Sequence, residues 1–430
     1  MVDKSDILFS EYIIDGTVMD STPADMLTEC MPGPCLEKFM SGWQRPGKDA
    51  TPEPVIDETA DRAPVNFRYD CGKENEYLAR MMLSIKSKPL SEISADHPRS
   101  GTRLAIATSI LECLWKDGHF RLGNLDMEAS WQWSMAAVGD MAAFYTSIEA
   151  ATGYIYDLGV KLTDVEIGRR ETGHRAEFRI CGVEDWLPFR DLDAGASGET
   201  FTDEDAYGAT GPAEKVWLWN SRKCPDRAIL EDRDGAVCSS LIYIPFDTCP
   251  HRLGGSLLAD VLGNGNENGP EIMDPDYFID CFEVVRELVE DGVVLSGATV
   301  GRGGLMTAVA GLVGYGMPSD GQEESGQYGT GCPATGEIEL DISGIEQAYM
   351  EDDSIRILFS EIPGAIIQIS DNDYDYVDSQ LLLQDIAYYP LGRPARTQGK
   401  AHIRLSSSSR TGLSAILAAL MDGQSSEGED

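Results

Sequence analysis

The sequence predicts an α/β (α+β) protein of two compact units behind an N-terminal extension, and three observations carry that prediction. Apolar residues recur at helical spacing in stretches that alternate with short segments of period two. Glycines close several of those stretches, as Gly292 does after Tyr277–Glu290. A chain of 430 residues also exceeds what one hydrophobic core ordinarily holds.

Residues 1–99 read as extension and linker, with Pro46 to Pro64 as the linker proper. One helix is expected there, at Glu74–Lys86, because Tyr77, Leu78, Met81, Met82 and Ile85 recur at helical spacing. The first unit, 100–235, opens with a helix whose Leu104, Ile106, Ala107, Ile110, Leu111 and Leu114 share one side, and Ala142 to Ile148 mark a second helix. Between them Asn124–Trp131 alternates like a half-buried strand, and Val160–Ile167 and Arg175–Ile180 read as two more. An exposed acidic insertion is expected near 191–212. The second unit, 236–405, starts with strand Leu241–Pro245, followed by helices Ser256–Leu262, Tyr277–Glu290 and Gly304–Leu312. Its other strands are expected at Val293–Leu295, Glu337–Ile342, Ile355–Phe359 and Ala365–Ile369, and a last helix at Tyr374–Gln384. Gly314–Thr335 reads as a loop and 406–430 as a tail.

The formal net charge of −39 repels phosphate backbones and anionic lipid surfaces, so neither nucleic acid nor membrane is expected as a partner. Ten cysteines are dispersed without a C-x-x-C pair or zinc spacing, which suits buried free thiols in a reducing compartment. The first residues lack the pattern of a signal or transit peptide, and no apolar run reaches the ~18 residues of a membrane span. A soluble cytoplasmic protein is the expectation.

Three motifs then follow in fixed order. Leu253-Gly254-Gly255-Ser256-Leu257-Leu258-Ala259 comes first, Ser296-Gly297-Ala298-Thr299-Val300-Gly301-Arg302-Gly303-Gly304-Leu305 second, and Ile357-Leu358-Phe359-Ser360-Glu361-Ile362-Pro363-Gly364 third. Their order and spacing resemble the C-terminal lobe of the phosphoribosylformylglycinamidine synthase family, the ATP-dependent C–N ligases of purine biosynthesis, and the related aminoimidazole ribonucleotide synthetase. The resemblance implies an aminoimidazole ribonucleotide synthetase-like two-domain lobe, ATP or ADP and magnesium as cofactors, and pairing as a homodimer or with a second synthase-like subunit.

In that family the second motif reads G-H-D-x-S-x-G-G-L. Here the His position is Ala298, the Asp position Thr299 and the Ser position Gly301, whereas Gly303, Gly304 and Leu305 remain. Ala298 cannot carry a proton, and Thr299 is a poor substitute for a carboxylate ligand. Two readings of the turn stay open. Arg302 with the amides of Gly303 and Gly304 can hold a phosphate in place of a metal bridge, or the glycines simply permit close strand-to-helix packing.

Thr102 to Glu112 resembles the family's S-R-L-A-I-A-E-A-L-T-N, with Thr108 at the Glu position and Glu112 at the Asn position. Glu112 is thereby the one candidate metal ligand, the bland alternative being a partner for Lys116 or a solvent-facing charge. Leu125 to Tyr145 resembles the family's next element, but the following P-V-G-K-D-S is replaced by Leu162-Thr163-Asp164-Val165-Glu166-Ile167. No nucleophile elbow of a glutaminase is visible, and no catalytic residue is assigned. The acidic run Asp371, Asp373, Asp375 and Asp378 lacks the Gly and Glu of a calcium loop. The expected function is therefore synthase-like without catalysis, in a structural or regulatory role. The alternatives are a working subunit of a split synthase and a structural subunit of a larger assembly.

Overall fold

The computed structural model describes residues 4–42, 53–59, 73–86, 92–116, 121–183, 222–230, 238–262, 267–315, 336–397 and 401–406. The expected insertion at 191–212, nearly all of the loop 314–335 and all of the tail beyond Ser406 lie outside the described residues. None of the described helices is long and apolar enough to cross a membrane. The fold class is α/β, as expected.

The first 99 residues hold more regular structure than their sequence suggested. Helix α1 (Lys4–Phe9), strands β1 (Tyr12–Ile14) and β2 (Thr17–Val18), helices α2 (Pro23–Glu29) and α3 (Gly33–Gly42), strand β3 (Val55–Asp57) and helix α4 (Glu74–Lys86) are all formed there. A reciprocal capping box starts α2: the Thr22 hydroxyl accepts from the Asp25 N–H, and the Asp25 carboxylate accepts from the Thr22 N–H. Strand β1 pairs antiparallel with β2 and parallel with β3, so part of the expected linker is a strand. Helix α4 was expected from its period, but most of the other elements are too short to show one.

Helix α5 (Pro98–Leu111), β4 (Leu125–Trp133), α6 (Asp140–Asp157), β5 (Lys161–Arg169) and β6 (His174–Val183) follow, and the strands order β5-β4-β6. Helix α6 is the crossover that a parallel β4/β5 pair requires, while β4 and β6 run antiparallel. The strict alternation of β4 buries Leu125, Met127, Ala129, Trp131 and Trp133 in the larger of two core clusters. The polar ends of the two tryptophans are satisfied there: Trp131 Nε1 donates to Ser147 Oγ at 3.0 Å and Trp133 Nε1 to the Asp140 carbonyl at 2.7 Å. The other face of β4 presents Asp126, Glu128, Ser130 and Gln132. This face of the strand is therefore polar.

The second half contains β7 (Ser239–Pro245), α7 (Leu257–Leu262), α8 (Pro275–Glu290), β8 (Val294–Val300), α9 (Gly304–Leu312), β9 (Gly336–Leu340), α10 (Ser343–Tyr349), α11 (Ser354–Phe359), β10 (Gly364–Ser370), α12 (Tyr374–Leu383), β11 (Tyr389–Gly392), β12 (Pro394–Arg396) and β13 (His402–Leu405). One antiparallel sheet orders β11-β7-β10-β8 and a smaller one β12-β9-β13. Gly292 ends α8 with φ +72°, as its sequence position predicted. Strand β8 is longer than expected and includes the second motif as far as Val300. The segment Ile355–Phe359 is helical rather than a strand. A short apolar run does not distinguish the two, and Asp353 starts the helix by accepting from the Ile355 N–H at 3.0 Å.

Central strand β10 is buried along almost its whole length, yet it carries Gln368. Its amide oxygen accepts from the Ile229 N–H and Ser296 Oγ, and its nitrogen donates to the Ile229 carbonyl and Ser239 Oγ, at 2.8–2.9 Å. The two bonds to Ile229 pin the segment 222–230 to the sheet, and the other two tie β10 to its neighbours β7 and β8. Gln368→Leu should therefore destabilise the fold by about 2–4 kcal/mol in urea unfolding, since it removes the partner of the buried Ser239 and Ser296 hydroxyls and of the Ile229 main chain. An unchanged midpoint would show that segment to be held by other means.

His251 is also buried, with Nδ1 lacking a partner and its ring edge-on to Tyr349 at 4.5 Å. Burial pushes its pKa down to about 4. The unfolded chain takes up this proton near ~6.5 and the folded chain only lower, so the contribution is full above that pH and lost as pH falls toward 4. Relative to His251→Phe, the wild type should lose about 3 kcal/mol across that window. Parallel stability–pH curves for the two proteins would refute this assignment.

Candidate functional site

The second motif forms the end of β8, the turn Gly301-Arg302-Gly303 and the start of α9. Gly303 and Gly304 have φ of +83° and +69°, and the Gly304 N–H closes the turn onto the Gly301 carbonyl at 2.9 Å. A Cβ on Gly304 would lie 2.8 Å from the carbonyl oxygens of Leu358 and Ser360. The turn is therefore pressed against the end of α11, and the third motif lies directly beneath it.

Glu361 holds this junction. Its side chain is 3% exposed. One carboxylate oxygen accepts from the Gly303 and Leu257 N–H groups, each at 2.7 Å, and the other accepts from Arg302 Nη1 at 3.0 Å. Arg302 Nη1 also donates to the Gly255 carbonyl at 2.6 Å, and Nη2 pairs with the Asp260 carboxylate. Burial acts to lower the Arg302 pKa, but Glu361 and Asp260 more than offset it and hold the guanidinium charged, above its ordinary value. The three motifs of the sequence thus meet at one ion-pair cluster: Gly255 and Leu257 from the first, Arg302 and Gly303 from the second, and Glu361 from the third. Of the three residues expected to hold a cofactor, Arg302 is engaged by two carboxylates, Gly303 donates to Glu361, and Gly304 donates within the turn.

Upstream on β8, Trp115 Nε1 donates to Thr299 Oγ1 at 2.9 Å, and Thr299 Oγ1 donates to Glu112 Oε1 at 2.8 Å. Arg222 Nη1 lies 3.8 Å from the other Glu112 oxygen, Nη2 donates to the Gly297 carbonyl at 2.8 Å, and the guanidinium sits 5.9 Å from the Trp115 ring centre. A Cβ on Gly297 would come within 2.1 Å of that ring, so glycine is required there. Glu112 and Thr299, which stand at positions the family resemblance links to metal, lie side by side. They meet as acceptor and donor beside a guanidinium, however, and this donor set does not suit magnesium. Among the described residues no group of three or more His, Cys, Asp or Glu side chains is placed to hold a metal ion.

A cleft of about 880 Å³ runs from α5 over the strands of the first sheet, with Thr108, Glu112, Glu128, Glu177, Arg179 and Arg302 among its walls. The acidic run after β10 is a corner, where Asp371 accepts from Arg393 Nη2 at 2.6 Å. Sequence reading missed Trp115, Arg222 and Asp260. Glu361 lay within a quoted motif, but nothing local announces contacts to residues 58 and 104 positions away.

No family model matches the chain. It is 22% identical to phosphoribosylformylglycinamidine synthase of Homo sapiens over 317 residues, covering 72% of this chain and 19% of that protein. It is also 22% identical to the probable phosphoribosylformylglycinamidine synthase, chloroplastic/mitochondrial, of Arabidopsis thaliana over 298 residues, covering 69% of this chain and 17% of that protein. The chain thus spans less than a fifth of the length of these relatives. The solved structure of Thermotoga maritima PurL complexed with FGAR superposes with a TM-score of 0.45 at 10% identity, covering 83% of this chain and 52% of that one. The chain is thus similar in sequence to phosphoribosylformylglycinamidine synthases.

Removing one member of a buried, hydrogen-bonded ion pair typically costs about 3–5 kcal/mol, so Glu361→Ala should destabilise by that amount. Asp260→Ala should cost clearly less, because the Asp260 side chain is 31% exposed against 3% for Glu361. Urea unfolding of both variants decides; equal losses would remove Glu361 from its special place.

Proposed function

We propose that this chain is a phosphoribosylformylglycinamidine synthase-like protein that no longer performs ligase chemistry and serves as a structural or regulatory subunit, its partner being a second synthase-like chain. The observation that carries this reading is the closed network Trp115–Thr299–Glu112–Arg222. An acid–base group must reach a proton of the reacting molecule, and Ala298 offers no titratable atom. Thr299 spends its hydroxyl between an indole and a carboxylate, and Arg222 brings positive charge where a divalent cation would need oxygen ligands. The residues present do not fit magnesium, and the donors of the glycine turn serve Glu361 and the turn itself, so the expected phosphate contact through Arg302, Gly303 and Gly304 is lost.

The test is ADP release by the purified chain with formylglycinamide ribonucleotide, ATP, magnesium and ammonium present. Background rates are expected. Turnover that disappears in Arg302→Ala or Glu112→Ala would overturn the proposal and return both residues to a working site.

A further inference from the structure

The three-stranded sheet β2-β1-β3 has one face in the core and one in water. Tyr12 sets its orientation: the ring is buried in the same cluster as Ile7 and Leu27, and its hydroxyl donates to the Ile7 carbonyl at 3.1 Å. Side chains alternate along a strand, so Ile13 points the other way. Asp15 and Gly16, with φ of +52° and +76°, form the two-residue turn that fixes the register of the β1/β2 hairpin. Ile13 thereby stands opposite Val18, and the parallel pairing with β3 sets Ile56 on its other side. The result is a row of three β-branched apolar side chains across all three strands, with Val18 52% and Ile56 71% exposed. A contiguous apolar surface rimmed by polar residues marks a place of contact.

The rim here carries one sign of charge. Stretches 11–20 and 53–59 hold Glu11, Asp15, Asp20, Glu53, Asp57 and Glu58, and no Lys, Arg or His. Two of these carboxylates serve the fold: Asp57 accepts from the Met141 and Ala142 N–H groups of α6 at 2.9 and 3.0 Å, and Asp15 from the Thr59 N–H at 2.8 Å. Glu11, Asp20, Glu53 and Glu58 flank the strands and are exposed. Their charge selects the occupant. A second copy would bring like charges together at this face, and nucleic acid or anionic lipid would meet the same repulsion.

We propose that the Val18–Ile13–Ile56 face docks a cationic amphipathic segment of a partner protein, whose apolar side chains cover the row and whose Lys or Arg residues meet the four exposed carboxylates. Burial of the row supplies affinity, and the carboxylates set the sign of the partner.

A short peptide of alternating Lys and Val, titrated into the full chain at physiological salt with a Glu and Val peptide as control, tests this by calorimetry and hydrogen exchange. The Lys peptide should bind and slow exchange in residues 11–20 and 53–59, and the Glu peptide should not bind. Val18→Ser combined with Ile56→Ser alters exposed side chains and no charge, and should weaken binding at least tenfold. Leu382→Ser combined with Leu383→Ser, at exposed positions of α12, should leave it unchanged. Equal binding by the wild type and the Val18/Ile56 double variant would overturn the proposal, since net charge alone would then hold the peptide. So would absence of binding, protection confined to other segments, or a wild-type self-association that this double variant abolishes, which would make a second copy the occupant.

Discussion

One buried carboxylate carries the architecture around the motifs. Glu361 stands at the entry to β10 and binds the first amide of α7, the turn before α9 and the guanidinium of Arg302. Such an arrangement needs backbone brought close from three directions, and this is why the turn is glycine at both 303 and 304. A helix N-terminus favours an anion whatever its source. When the chain provides that anion from its own sequence, the same geometry that suits a phosphate becomes a structural joint.

The device recurs. Asp57 caps α6, and Asp247 accepts from the amides of Cys249, Met273 and Asp274 ahead of α8. Asp140 accepts from Ser134, Ala136 and Ala137 while His174 lies 3.0 Å away. In a chain so rich in acid, some carboxylates are internal ligands for free backbone N–H groups, and the charge total alone conceals that use. The neighbouring Thr299 network follows the same logic, with polar groups satisfied by one another instead of being left for a visitor.

What the sequence made legible depended on range. The alternation of Asn124–Trp131, the helical stripe of α5 and the order of the three motifs were readable because each is a local pattern. The helix Ser354–Phe359 was misread as a strand since four apolar residues around Arg356 carry no decisive period, and four of the six elements described in the first 57 residues are no longer than it. The site resisted for a different reason. Glycines at 303 and 304 are compatible with phosphate binding and with tight packing alike, and only the position of Glu361 distinguishes the two. Arg222 reaches Glu112 from a distant segment that no spacing rule connects to it.

Glu361 satisfies the glycine turn from within the chain. Residue-resolved hydrogen exchange at the Gly303 and Leu257 amides, with and without millimolar ADP and magnesium, addresses it most directly. Both amides should be protected in the free protein and unaffected by nucleotide. Fast exchange in the free protein that slows on adding ADP would instead mark the turn as a phosphate site.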